Sequence, residues 1–203
     1  MKFLAKIFLV LLLFVVLVAC DSKQEGITQL RPNDVILAFG DSLTLGVGAR
    51  PELSYPRQLA IFLSRTVTNA GVSGETSAEG LSRLPGVLDK VEPKLMILCH
   101  GGNDILQKLD RDQLQANLRG MIIEAQQRGI AVVMIAVPQL VGLQDVPLYK
   151  ALADELKVPL VPDALRKLLS EQQYKSDPVH LNGQGYRKLA EAVADVLAAN
   201  GAL

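Results

Sequence analysis

The chain contains few of the side chains that bind metals or form cross-links. It has two histidines and two cysteines among 203 residues. His100 and His180 lie far apart in the sequence, which is unfavourable for a catalytic zinc site. Cys20 falls within the amino-terminal leader described below, so Cys99 has no partner for an intramolecular disulfide. We therefore expect no metal, no cofactor and no disulfide, and Cys99, which ends an apolar run, is predicted to be a small buried core residue.

Neither positive nor negative charge is in excess. Lysine and arginine number 21, aspartate and glutamate number 21, and no basic cluster occurs outside the leader. A nucleic-acid partner is therefore not expected. The motifs G-x-S-x-G, H-E-x-x-H and G-x-x-x-x-G-K do not occur either. Their absence disfavours a nucleophile-elbow α/β-hydrolase, a zincin-type metalloprotease and nucleotide-dependent chemistry.

The amino terminus has the pattern of a secretory leader. A short basic region precedes an uninterrupted apolar run at 7–18, as in signal peptides. The run ends in Leu17-Val18-Ala19-Cys20, which resembles a bacterial lipobox, in which the cysteine is lipidated. We predict a signal peptide at 1–19 and lipidation of Cys20. The alternative is a plain signal peptide or an uncleaved anchor with an incidental cysteine.

The residues after Cys20 are polar and show no sustained periodicity. They are predicted to form a tether over 20–33, followed by one domain over 34–203. In enterobacterial lipoproteins, an aspartate at the position of Asp21 resembles a signal for retention in the inner membrane. We expect a monomer in the bacterial cell envelope, anchored to the membrane through Cys20 and facing the periplasm.

From residue 35 onward, short apolar runs alternate with segments of helical spacing. The apolar runs are at 35–39, 66–70, 94–99, 131–137 and 158–161, and the helical segments are at 56–63, 81–91, 114–127, 148–156 and 183–198. This alternation predicts an α/β fold, a three-layer α/β/α sandwich with a flavodoxin-like five-stranded parallel sheet. Gly129 fits a helix C-cap, and Asn182 fits the N-cap of the final helix.

The central stretch is Phe39-Gly40-Asp41-Ser42-Leu43-Thr44-Leu45-Gly46, directly after the first apolar run. The sequence predicts a sharp turn that leaves Ser42 at the carboxyl end of a strand, beside the start of a helix. Open α/β sheets bind their ligands at this edge. A serine there can act as a nucleophile if a base reaches it. The alternative is that Asp41 and Ser42 only cap the helix.

Three later stretches follow in order. They are Asn69-Ala70-Gly71-Val72-Ser73-Gly74-Glu75-Thr76, Gly101-Gly102-Asn103-Asp104 and Asp177-Pro178-Val179-His180. Together with Gly40-Asp41-Ser42-Leu43, these blocks resemble the SGNH (GDSL) hydrolase superfamily, and in particular its bacterial thioesterase, lysophospholipase and arylesterase branch. The resemblance covers residue 35 to the end of the chain, and it implies the three-layer fold predicted above.

The spacing of Asp177 and His180 allows the carboxylate to turn back onto one nitrogen of the imidazole ring. The resemblance implies that Ser42 is the nucleophile, His180 the base and Asp177 the residue that orients the base. His100 is the competing histidine. Because it directly follows an apolar strand and has no carboxylate nearby upstream, we expect a packed or hydrogen-bonded scaffold residue, with a modest tuning role as an alternative.

Acyl transfer also requires donors that face the developing oxyanion. By resemblance, the backbone N–H groups of Ser42 and Gly74 and the side-chain amide of Asn103 form this oxyanion hole. Glycine at position 74 would let the backbone approach the substrate closely. Asp104 is expected to be structural, bonding the backbone or Asn103.

The leading hypothesis is a serine esterase that hydrolyses small-molecule acyl esters or thioesters through an acyl-enzyme intermediate. One alternative is a carbohydrate or peptidoglycan O-acetyl esterase, and another is a binding lipoprotein without turnover. Leu140, Val141 and Leu143 lie in an irregular stretch after the fourth predicted strand. They are predicted to form a wall for the acyl chain. The alternative is that Leu140, Leu143 and Leu148 only attach this loop to the core.

Overall fold

The computed structural model of the protein describes residues 26–203. The predicted signal peptide, the predicted lipidation site at Cys20 and Asp21 lie outside these residues. Within the described range, no helix combines the length and the apolar character that a membrane crossing requires.

In the described part of the chain, five parallel strands form one sheet, as the alternating pattern predicts. They are β1 (Ile36–Gly40), β2 (Val67–Gly71), β3 (Leu95–Cys99), β4 (Ala131–Ile135) and β5 (Leu160–Val161). Their order across the sheet is β2-β1-β3-β4-β5. Every residue of β1 and β3 is buried, which explains their nearly continuous apolar sequences. The predicted five-stranded α/β architecture is confirmed.

Within residues 26–203, eight α-helices connect and follow these strands. They are α1 (Ser42–Leu45), α2 (Tyr55–Leu63), α3 (Ser77–Val91), α4 (Gly102–Leu106), α5 (Arg111–Gln127), α6 (Pro147–Leu156), α7 (Ala164–Ser170) and α8 (Gly183–Ala199). Helices α2 and α7 pack against α8, whereas α5 packs against α3 and α6. These two groups cover the two faces of the sheet and complete the three-layer sandwich. Single 3₁₀ turns occur at Pro51–Leu53 and Gln172–Tyr174.

Several helices begin earlier than their apolar periodicity indicates, because polar residues cap their first turns. The side chain of Thr76 accepts a hydrogen bond from the N–H of Glu79, and Glu79 bonds back to Thr76, so α3 begins at residue 77. Asp110 likewise caps α5. Asn182 caps α8 as predicted. Gly129 lies one residue beyond the C-cap of α5 and has a φ of 70°, a conformation that favours glycine.

The segment predicted to be a tether ends in residues that make hydrogen bonds to later parts of the chain. The backbone N–H of Ile27 donates to the carbonyl of Asn200 (2.8 Å), and that of Leu30 donates to the carbonyl of Ala202 (2.9 Å). The guanidinium of Arg65 donates to the carbonyl of Leu30, whose side chain is buried. Residues 27–30 are therefore attached to the domain. The sequence does not reveal this because the partners lie at the opposite end of the chain.

Two buried tyrosines attach the loops at the carboxyl edge of the sheet to the layers beneath. The hydroxyl of Tyr149 donates to the carbonyl of His100 (2.8 Å). The hydroxyl of Tyr186 donates to the carbonyl of Val47 (2.7 Å). These hydrogen bonds fix the loops that follow β3 and α1, and the candidate site is built on these loops.

Candidate active site

The register of the sheet brings three of the four sequence blocks together. Gly40 at the end of β1 is paired with Gly71 of β2 and with Cys99 of β3. The segments that follow these three positions therefore leave the sheet side by side. They contain Ser42, Gly74 and Asn103 respectively.

The turn after β1 depends on the absence of a side chain at Gly40. A Cβ there would lie 1.9 Å from the carbonyl oxygen of Cys99 and 2.4 Å from the hydroxyl of Thr44. Asp41 caps α1, since its carboxylate accepts from the N–H of Leu43 (3.0 Å). The capping interpretation is therefore correct for Asp41. Ser42, in contrast, makes a long-range contact with the fourth block.

Ser42, His180 and Asp177 form a continuous chain of hydrogen bonds. The Nε2 atom of His180 lies 3.0 Å from the Oγ of Ser42. The Nδ1 atom lies 2.8 Å from a carboxylate oxygen of Asp177. This arrangement favours the tautomer that has its hydrogen on Nδ1, so that Nε2 can accept the hydroxyl proton of Ser42.

The aspartate is itself fixed by the backbone of its own loop. Its second carboxylate oxygen accepts from the N–H groups of Val179 (2.9 Å) and His180 (2.8 Å). Partial burial raises the pKa of Asp177, but these hydrogen bonds and the one from the imidazole outweigh it and hold the pKa below its ordinary value. An ionised Asp177 orients the ring and can stabilise an imidazolium.

Ser42, Gly74, Asn103 and His180 line one cavity of about 140 Å³. Gly74 has a φ of 79°, and a Cβ there would meet no protein atom within 4 Å. The backbone conformation, rather than crowding by the protein, therefore favours glycine at this position. The structure thus brings Ser42, His180 and the three predicted oxyanion donors to the same cavity, and Asp177 is connected to it through its hydrogen bond with His180.

Asp41 makes a contact that the sequence does not reveal. Its second carboxylate oxygen accepts from the N–H of Gly102 (3.2 Å), which joins the loop after β1 to the loop after β3. Complete burial raises the pKa of Asp41. Asp104 accepts from the N–H (2.8 Å) and hydroxyl (2.6 Å) of Ser77 and so attaches α4 to α3. The expectation that Asp104 bonds backbone is correct, and its further partner is Ser77 rather than Asn103.

The three residues predicted to form an acyl wall have different surroundings. Leu140 is only 6% exposed and lines the cavity at Ser42. Val141 is 73% exposed, and Leu143 packs partly buried against the core. Both line a neighbouring groove to which Leu140 also contributes. Leu140 thus separates the catalytic cavity from this groove, and the core-packing interpretation describes Leu143.

Six further residues line the cavity at Ser42, namely Asp41, Leu43, Ser73, Gly102, Leu106 and Val179. Leu106 ends α4, a five-residue helix in a stretch that reads as a turn in the sequence. Among residues 26–203, no three His, Cys, Asp or Glu side chains lie close enough together to hold a metal ion. Cys99 is buried, and burial raises the pKa of its thiol, so it is not placed as a nucleophile.

A serine paired with a carboxylate-oriented histidine, at the carboxyl edge of a parallel sheet, defines a serine hydrolase. Residues 38–188 match the GDSL-like lipase/acylhydrolase family. The chain belongs to this family, and the protein is an ester-hydrolysing enzyme.

Its similarity to characterised proteins extends over most of the chain. It is 31% identical to thioesterase 1/protease 1/lysophospholipase L1 of Escherichia coli over 173 residues, which cover 81% of this chain and 83% of the relative. It is 32% identical to an arylesterase of Vibrio mimicus, with coverage of 81% and 88%. The crystal structure of TesA superimposes with a TM-score of 0.73 at 30% identity, covering 81% of this chain and 98% of the other.

Proposed function

We propose that the protein hydrolyses acyl esters and thioesters through an acyl-enzyme formed on Ser42. The observation that supports this most directly is the contact of 3.0 Å between Ser42 Oγ and His180 Nε2. In the first half of the reaction, His180 accepts the hydroxyl proton while Ser42 Oγ attacks the acyl carbon. The imidazolium then gives this proton to the leaving alcohol or thiol. Asp177 stays ionised and stabilises the imidazolium throughout.

The tetrahedral intermediate needs donors that face its oxyanion. We assign this role to the backbone N–H groups of Ser42 and Gly74 and to the side-chain amide of Asn103. In the second half of the reaction, His180 activates a water molecule that attacks the acyl carbon, and Ser42 leaves with the proton returned by His180. Each preorganised donor contributes about 3 kcal/mol to such reactions in other enzymes.

The relatives named thioesterase, lysophospholipase and arylesterase support acyl esters and thioesters as the substrate class. The cavity at Ser42 holds only about 140 Å³, so it can enclose the reacting group and a few carbons. A longer acyl chain would continue past Leu140 into the neighbouring groove. The small cavity also suits an acetyl group, which keeps an O-acetyl esterase acting on carbohydrate or peptidoglycan as the second candidate.

We further propose a monomeric lipoprotein of the bacterial cell envelope, anchored through Cys20, facing the periplasm and retained in the inner membrane by Asp21. Ile27 bonds to Asn200 near the carboxyl end of α8, whereas α8 begins just after His180. The anchor would therefore be attached at the edge of the domain opposite Ser42. Seven residues reach about 25 Å at most, and a domain of this size is about 40 Å across. Ser42 would thus face the aqueous compartment.

One set of assays separates these candidates. Nitrophenyl esters of increasing acyl length, an acyl-CoA, a lysophospholipid and an acetylated sugar are compared with the purified full-length protein. We expect the highest kcat/KM for an acyl ester or thioester longer than acetyl. A preference for the acetylated sugar would support the second candidate. Failure of a fluorophosphonate probe to label Ser42 would instead support a binding lipoprotein without turnover.

A further inference from the structure

A cluster of ionisable side chains lies beneath the proposed oxyanion hole and contacts none of the triad. It consists of Glu75, Arg83 and His100, which we call the support cluster. The Glu75 carboxylate accepts from Arg83 Nη2 (2.7 Å) and is also bonded by Arg83 Nε. Its other contact is His100 Nε2, 3.0 Å away. The side chains of Glu75 and His100 are 5% and 0% exposed.

The hydrogen bonds of His100 determine where its hydrogen lies. The backbone N–H of Gly101 donates to Nδ1 (2.9 Å), so Nδ1 is an acceptor. His100 Nε2 therefore carries the hydrogen and donates to Glu75. The sequence shows no carboxylate shortly upstream of His100, and the fold supplies one from the loop that follows β2. His100 is thus bonded on both ring nitrogens and is not free to serve as a base.

Arg83 extends the support cluster to the ends of two strands. Its Nη2 atom donates to the carbonyls of Ala70 in β2 (2.9 Å) and Gly40 in β1 (3.3 Å). The guanidinium also lies over the ring of Phe39, 4.1 Å from its centroid. Since His100 follows β3, the support cluster joins the carboxyl ends of β1, β2 and β3. These three ends are followed by Ser42, Gly74 and Asn103.

Glu75 is connected to the oxyanion hole through its own backbone. Its carbonyl accepts from the side-chain Nδ2 of Asn103 (2.9 Å). One N–H of that amide is used in this bond, which leaves the other free to face the cavity. Glu75 also directly follows Gly74, whose N–H is the second proposed donor. A displacement of Glu75 would therefore move two donors at once.

We propose that Glu75 is a positioning residue for the oxyanion hole, and that Arg83 and His100 hold it in place. This inference rests on the proposed roles of Gly74 and Asn103. A buried carboxylate is stable only when its hydrogen-bonding partners are present. Removal of its charge or of one partner releases the loop after β2, and with it the orientation of Asn103. A displacement of about 1 Å at a catalytic group costs up to about a hundredfold in rate.

The test compares Glu75→Gln with Glu79→Gln in the full-length protein. Glu79 lies in the first turn of α3 and is exposed, and its carboxylate accepts hydrogen bonds from Thr76 rather than from the support cluster. We expect Glu75→Gln to lower kcat about tenfold to a hundredfold with KM changed less than about twofold. Affinity for an alkyl boronic acid, whose adduct with Ser42 imitates the tetrahedral oxyanion, should fall by the same factor. Glu79→Gln should change neither quantity.

A general loss of stability would lower the melting temperature without this selective loss of boronate affinity. A kcat for folded Glu75→Gln within about twofold of wild type would overturn the proposal. The pair His100→Gln and His100→Leu gives a second test that does not alter Glu75. Glutamine can replace the Nε2 donor, whereas leucine cannot, so the leucine variant should have the lower kcat. Equal kcat values for these two variants would also overturn it.

A double variant separates this proposal from the proposed function. Because Glu75 acts through Asn103 and Gly74, Glu75→Gln should cost less in an Asn103→Ala background than in the wild type. Full additivity of the two losses would contradict the positioning role. Failure of the proposed function has a different signature, namely that Ser42→Ala retains turnover.

Discussion

The Nε2 atom of His180 lies 3.0 Å from the hydroxyl oxygen of Ser42, although 138 positions separate the two residues in the sequence. The contact joins two distant parts of the chain, because Ser42 follows strand β1 while His180 precedes the final helix α8. Asp177 accepts hydrogen bonds from the backbone N–H and the Nδ1 atom of His180, and these bonds orient the imidazole toward Ser42. This relationship makes Ser42 the proposed nucleophile, and the predictions below concern the groups around it.

Asn103→Ala is expected to lower kcat about a hundredfold to a thousandfold with a much smaller change in KM. Its amide would meet an oxyanion that exists mainly in the transition state, so ground-state binding depends on it little. Steady-state kinetics on one nitrophenyl ester measures both constants. The control is Asn200→Ala, at the edge opposite the site. If Asn103→Ala raises KM and leaves kcat unchanged, Asn103 is a binding residue instead.

Leu140→Ser is expected to lower kcat/KM for octanoyl esters and to leave kcat/KM for acetyl esters nearly unchanged. Each buried methylene of a substrate contributes about 0.8 kcal/mol, so an octanoyl chain depends on an apolar wall far more than an acetyl group. Ile61→Ser is the control, because Ile61 is 61% exposed on α2 and lines neither the cavity at Ser42 nor the neighbouring groove. The ratio of kcat/KM for the two esters is the measurement. Equal losses on both esters would show that Leu140 only packs the loop.

The stability difference between wild type and Glu75→Gln should depend on pH. Burial raises the pKa of Glu75, but hydrogen bonds from His100 and Arg83 outweigh it and hold the pKa below its ordinary value. A carboxyl whose pKa is lowered by folding stabilises the protein above its unfolded pKa, and this stabilisation is lost as pH falls through the folded value. Urea denaturation at about pH 7, 5, 4 and 3 should therefore show a shrinking difference. A difference that grows on acidification contradicts this assignment.

The location proposal depends on Cys20. Wild-type protein should incorporate a labelled fatty acid in bacteria and partition with membranes, whereas Cys20→Ser should not be labelled. Cys99→Ser is the control, since Cys99 is buried in β3. Absence of label in the wild type would contradict lipidation. The hydrolytic activity of Cys20→Ser should equal that of the wild type, because Cys20 precedes every residue proposed for the site.

The sequence predicts the architecture well because apolar runs and helical segments alternate regularly. It also identifies Ser42 and Asp177-Pro178-Val179-His180 as separate blocks, and parallel strands must bring blocks at their carboxyl ends to one edge. Sequence periodicity cannot predict which side chains are buried in an irregular loop. Leu140 and Val141 are neighbours of similar hydrophobicity, yet one is buried and one exposed. Only the path of their irregular loop decides this.

The support cluster shows a second limit of prediction from the sequence, namely contacts between residues that are far apart in the chain. Glu75 and His100 are 25 positions apart, and each reads as an ordinary residue beside a glycine. Their contact requires the register in which β2 and β3 both flank β1. The attachment of Ile27 to Asn200 is hidden for the same reason, since neither local periodicity nor composition identifies a partner at the other end of the chain.

The most direct test of the account measures turnover and fluorophosphonate labelling in Ser42→Ala, His180→Ala and the double variant. Each single variant should lose about 10⁴-fold to 10⁶-fold in kcat, and the double variant should lose little more, because the two residues act as one proton-transfer unit. The probe should label wild type and fail to label Ser42→Ala. Wild-type turnover in folded His180→Ala, or labelling of Ser42→Ala at another residue with retained activity, would contradict the central claim.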